Sequence, residues 1–90
     1  MAVKDLNESL AGKYGLKSDK GVVIIEVEEN TPADKANLRV GDLIKEVDKK
    51  AVKDKEEFEK AMSSADLKEG VLFMVEREGN TLFVVVTSVN

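Results

Sequence analysis

One stretch, Gly21 to Val47 (GVVIIEVEENTPADKANLRVGDLIKEV), restricts the folds open to this chain more than any other. It begins with a glycine and an unbroken run of β-branched residues, Val22-Val23-Ile24-Ile25, then alternates through Glu26-Val27. Such a run reads as a strand buried on at least one face. Thr31-Pro32-Ala33-Asp34 follows as a helix start. Thr31 supplies a cap, Pro32 suits the first helical position because its missing N–H is not needed there, and Asp34 can close a capping box. The helix is predicted to stop near Ala36, because Asn37 readily adopts the left-handed conformation that ends helices. Gly41-Asp42 then forms a bend, the glycine allowing the turn and the carboxylate bonding nearby backbone. Leu43-Ile44-Lys45-Glu46-Val47 is a second strand.

The flanks are read in the same way. Ala2-Val3-Lys4-Asp5-Leu6 is a short strand. Asn7 caps a brief helix from Glu8 to Lys13 with Leu10 and Tyr14 facing inward, and Gly15 stops it. Ser18-Asp19-Lys20 is a polar turn into the central strand. After Val47, Asp48-Lys49-Lys50 makes a turn into a short strand at Ala51-Val52. Asp54 caps a further helix, with Glu57 completing a capping box. Phe58, Ala61, Met62 and Ala65 fall on one apolar stripe of it. Residues 66–70 are a loop, and strands at Val71–Val75 and Thr81–Thr87 close the chain around a turn at Glu78-Gly79-Asn80. Both closing runs are so continuously apolar that they are expected to be central or covered on both faces.

Ninety residues without repeats or low-complexity linkers make one domain, 1–90. The chain has neither Cys nor His, which removes disulfides, thiol nucleophiles, Ser-His-Asp triads and the usual zinc sites. The carboxylates lie on solvated faces, and the Glu26, Glu28, Glu29 series lacks the spaced loop of a calcium site. No catalysis, cofactor or metal is therefore expected. Net charge is −4 with basic residues interleaved, which argues against nucleic acid and anionic membrane surfaces as partners. No apolar segment approaches the roughly 20 residues of a spanning helix. Met1-Ala2-Val3-Lys4 lacks the pattern of a secretion signal, so an exported parent would contain this chain as a fragment.

The central cassette resembles the PDZ domains of the HtrA (DegP/DegQ-type) envelope serine proteases. The resemblance rests on Gly21, Val27, Thr31, Pro32, Ala33, Ala36, Leu38, Gly41, Asp42, Ile44, Val47, Asp48, Lys50 and Val52. Asn37 and Lys49 stand where that family usually has glycine; Asn accepts positive φ well, whereas Lys does so at a cost of roughly 1 kcal/mol. Leu6, Leu10, Ala11, Tyr14, Gly15 and Leu16 further resemble the second, C-terminal PDZ of such proteases. The implied fold is α+β, a small PDZ-like barrel or sandwich of five to six strands with two helices in the permuted bacterial arrangement, its groove strand N-terminal.

The implied function is peptide recognition. A peptide adds a strand to a sheet edge, a backbone loop holds its terminal carboxylate, and an apolar pocket takes its last side chain. Mapped onto this sequence, the groove strand is Ala2, Val3 and Lys4, and the facing helix presents Phe58, Ala61 and Met62. By spacing alone those three helical residues read as core. The loop itself falls at or before Met1, so the chain is expected to be truncated there and to bind carboxylates poorly. Partners implied are C-terminal or unfolded peptide segments and other domains of a parent protease, in the periplasm or cell envelope. Weak self-association through the edge is expected at most, since Asn90 suits an apolar pocket badly. Rival parents are site-2 metalloproteases and C-terminal processing peptidases; a rival role is an oligomer-contact module that binds no free peptide.

Overall fold

In the computed structural model, which describes residues 1–88, nine elements follow one another: β1 (Ala2–Asp5), α1 (Glu8–Tyr14), β2 (Val22–Glu26), α2 (Pro32–Lys35), β3 (Leu43–Val47), β4 (Lys50–Ala51), α3 (Lys55–Ser63), β5 (Val71–Arg77) and β6 (Asn80–Val86). The expectation concerning Asn90 lies outside the described residues. Each helix starts where a side chain accepts an otherwise orphaned N–H. Asn7 accepts from Leu10, Thr31 from Asp34 and Asp54 from Glu57. Asp34 and Glu57 reach back to the N–H groups of Asn30 and Lys53, reinforcing the α2 and α3 starts. The expected left-handed residues are found at Asn37 (φ 65°) and Gly15 (φ 65°).

All strand pairings are antiparallel, in the order β1-β2-β3-β5-β6, with β4 paired to β3. The expected α+β PDZ-like fold is present, with two adjustments. The described residues hold three helices and not two, because every capping signal in the sequence became a helix, including the one-turn α2. The sheet stays open, with β1 and β6 at its two ends, and does not close into a barrel.

Val22, Val23 and Ile24 of the apolar run in β2 are buried on both sides of the sheet, whereas Ile25, the last residue of the run, is 43% exposed. Val22 and Ile24 join the main core with Ile44, Val47, Phe58, Phe73 and Val75. Val23 points the other way, onto Leu16 and Leu43, where α1 covers the sheet with Leu10, Ala11 and Tyr14. Gly41 (φ 96°) lets the backbone pass under α1: a Cβ there would stand 2.5 Å from the Tyr14 ring.

Of the two closing strands, β5 meets the expectation of a central place and β6 does not. β5 is internal to the sheet and runs on to Arg77, two residues past the predicted end. β6 is an end strand, and Phe83 and Val85 are 67% and 60% exposed on its outer side. Their cross-strand partners there are Met74 and Leu72. An apolar run identifies a strand but does not say whether both of its faces are covered.

Candidate functional site

Among the described residues β1 pairs with β2 alone, so its other side has no strand partner there, and α3 packs alongside it. A kink separates its first residue from the rest: Ala2 stands opposite Glu26 and Val3 opposite Ile24, leaving Ile25 as an extra residue on β2. Such bulges re-aim the chain at sheet edges. Beyond the kink, Met1 borders a cavity of about 300 Å³ whose other walls include Phe58 and Met62 of α3, Phe73 and Val86 of the sheet, and Leu67. The tip of α2, Thr31-Pro32-Ala33, closes the remaining side. Phe58 and Phe73 meet edge-to-face at its base, with centroids 6.2 Å apart and planes at 68°. No charged side chain lines this cavity, so it suits an apolar group.

The six residues assigned from the sequence divide. Phe58 and Met62 line the cavity, and Phe58, 7% exposed, also belongs to the core. Val3 is buried in that core beneath the groove, while Ala2 and Lys4 flank it on β1 outside the cavity. Ala61 is elsewhere. It packs partly against the core and borders a separate hollow with Lys50, Ala51 and Lys60. The cause is helical geometry: at about 100° per residue, Ala61 and Met62 lie on opposite flanks of Phe58. Sequence reasoning missed Met1, Leu67, Phe73, Val86 and the α2 tip. Phe73 and Val86 are buried in the core from runs that read as continuously apolar, and no local signal says that a cavity opens beside them.

Two charged groups lie away from the groove and serve the fold. Glu76, 4% exposed, accepts from the Lys17 N–H at 2.6 Å, the Ser18 N–H at 3.3 Å and the Ser18 hydroxyl at 2.5 Å. Burial pushes its carboxyl up, yet the Ser18 hydroxyl, the two N–H groups and nearby Lys45 together hold it below the ordinary value. Asp42, 1% exposed, receives Arg77 through Nε at 2.8 Å and Nη2 at 2.7 Å, and the Arg39 N–H at 3.0 Å. The bond to Asp42 raises the Arg77 guanidinium above its usual range. The predicted backbone role of Asp42 is thus found, together with an ion pair that the sequence did not announce. Among the described residues no cluster of His, Cys, Asp or Glu could hold a metal, and no helix is long and apolar enough to cross a membrane.

The chain was compared with known families, proteins and structures. The PDZ domain family model matches residues 3–87. A probable periplasmic serine endoprotease, DegP-like, from Rickettsia conorii is 29% identical over 82 residues, covering 91% of this chain and 16% of the relative. The serine protease HTRA1 of Xenopus laevis is 40% identical over 78 residues, covering 87% of this chain and 14% of the relative. The chain thus spans about a sixth or less of these curated relatives. Among solved structures, the HtrA3 PDZ domain bound to a phage-derived ligand (FGRWV) superposes with a TM-score of 0.81 at 21% identity, covering 97% of this chain and 79% of that one. The HtrA-type protease AlgW with a decapeptide gives 0.82 at 26% identity, covering 94% and 26%. PDZ domains are non-catalytic modules, and the relatives in which this one finds its match are named serine proteases. With the family model spanning nearly the whole chain and the sequence relatives drawn from HtrA and DegP-like proteases, this chain belongs to the PDZ domain family and is of the HtrA type.

Proposed function

We propose that this domain binds the C-terminal or unfolded segment of a polypeptide by strand addition along β1, placing an apolar side chain in the cavity between Met1, Phe58 and Met62. One observation carries the reading: a strand edge without a partner runs directly into an uncharged apolar cavity beside a helix. Edge hydrogen bonds provide affinity and the cavity provides selectivity. The pliable methionines at its rim suit more than one apolar shape. That the HtrA3 domain and AlgW were solved with peptide ligands supports the same use here. In a parent protease of the HtrA type the domain would help hold substrates and govern assembly or activation. The periplasmic names of its relatives support a place in the bacterial envelope.

The test is an NMR titration of the 90-residue chain with six-residue peptides ending in Val, Leu, Phe or Ala. Saturable shifts should cluster at Ala2–Lys4 and around Phe58 and Met62, and Met62→Glu should weaken them by placing a charge in the cavity. A folded domain with no saturable shifts, or shifts only on the exposed β5–β6 face, would overturn the reading in favour of a contact module.

A further inference from the structure

The two walls of the groove are joined by a hydrogen bond at one end only. Asp5, the last residue of β1, accepts a 2.7 Å bond from the N–H of Lys55, the first residue of α3. The other bonds that start α3 are local, from Glu57 N–H to Asp54 and from Lys53 N–H to Glu57, each 2.8 Å. They shape the helix without saying where it sits relative to β1. Nearby backbone steadies the same corner, with Leu6 N–H bonded to Gly21 at 3.1 Å and Gly21 N–H bonded to Lys53 at 3.2 Å. At the other end Met1 and Met62 line the cavity, and among the described residues no hydrogen bond joins β1 to the last turn of α3. The groove is fastened across at Asp5 and meets the cavity at its Met1 end.

Resting on the peptide-binding reading above, we infer that Asp5 is a positioning residue that sets the spacing of the groove walls and so the width of the cavity. Its carboxylate is well matched to the task, because a charged acceptor at the positive end of a helix makes a short, strong bond. Geometry amplifies any slack at the fastening. Lys55 and Met62 are separated by about 10 Å of helix, so a tilt of about 10° at Lys55 moves Met62 by about 2 Å. A gap of even ~1 Å removes much of the dispersion attraction between apolar surfaces. Asp5 thereby acts on a side chain at the far end of the cavity, one it does not touch.

The experiment uses the whole chain and the variants Asp5→Ala and Asp5→Asn, the second keeping an acceptor oxygen. Residual dipolar couplings report the orientation of α3 against the sheet in the unliganded protein. Titration with a six-residue peptide ending in Val, well below the unfolding temperature, reports affinity. In Asp5→Ala, α3 should tilt and affinity fall on the order of fivefold, with Asp5→Asn restoring most of both. An unchanged α3 in Asp5→Ala would overturn the inference, and so would a tilt that leaves affinity untouched. If the alanine variant does not fold, Asp5→Glu, which displaces the acceptor by one methylene, gives the same two readings. If the unmodified domain binds no peptide, the recognition reading fails, and the couplings alone decide the positioning role of Asp5: a tilt supports it and its absence refutes it.

Discussion

Replacing Arg77 by Met is the sharpest available test of what holds the Gly-Asp bend in place. The substitution keeps much of the apolar stem and removes the guanidinium. Asp42 loses bonds of 2.8 and 2.7 Å, and the Asn37 carbonyl loses one of 3.0 Å. What remains to a carboxylate that is 1% exposed is the single N–H of Arg39. Breaking a buried pair by removing one partner costs about 3–5 kcal/mol. The lower end applies here, because the Arg77 side chain is 24% exposed and water can follow it. A domain of 90 residues has a total stability of about 5–14 kcal/mol, so a loss near 3 kcal/mol is a large share. With a urea m-value of about 1 kcal/mol/M, the unfolding midpoint should drop by roughly 3 M. Asp42→Asn combined with Arg77→Met should cost less than the sum of the two singles, by about 1–3 kcal/mol. A loss under about 1 kcal/mol with no coupling would refute the reasoning and place this pair among solvent-screened surface bridges.

Three further outcomes follow from the same structure. Because its hydrogen bonds hold the Glu76 carboxyl below its unfolded value, this group contributes stability that is fully present above the unfolded pKa and lost as pH falls through the lower folded one. Glu76→Gln should therefore flatten the acid limb of a stability-versus-pH curve measured by urea melts below pH 5, and an identical limb would refute the assignment. Lys49 sits at φ 70° in the two-residue turn after β3, where Asp48 also has positive φ (48°). Lys49→Gly should raise stability by about 0.5–1 kcal/mol in a thermal melt, since relief of left-handed strain exceeds the added chain entropy. Gly41→Ala should cost about 2 kcal/mol or more, from strain at φ 96° and contact with the Tyr14 ring, and should be visible as a lowered urea midpoint.

The features that local chemistry controls are legible in the amino-acid sequence alone. Helix starts at Asn7, Thr31 and Asp54 depend on side chains that satisfy N–H groups three residues on, a relationship contained within a short window. Helical periodicity places Phe58 and Met62 on one apolar face, which by itself reads as core; the resemblance to PDZ domains is what assigns them to the groove. Long-range partnership is not legible in this way. Glu76 closes an apolar run and looks like the end of a strand, yet Lys17 and Ser18, 59 and 58 residues away, direct their donors at it. Nor does composition reveal that the strand carrying Phe83 has no neighbour beyond it: Leu82 and Val84 turn inward, while Phe83 and Val85 face out from a sequence that reads identically on both sides.

The two-sided burial of β2 has a consequence for how this domain responds to solvent over time. Val22, Val23 and Ile24 are all fully buried, whereas neighbouring β1 is four residues long, kinked at Ala2 and unpaired on one side. In deuterated water the amides of Val22, Val23 and Ile24 should exchange only when the whole domain unfolds, while those of β1 exchange through small local openings. The most permanent strand in the molecule thus backs the most transient one. The groove strand can fray and re-form around an incoming chain while the core behind it stays intact.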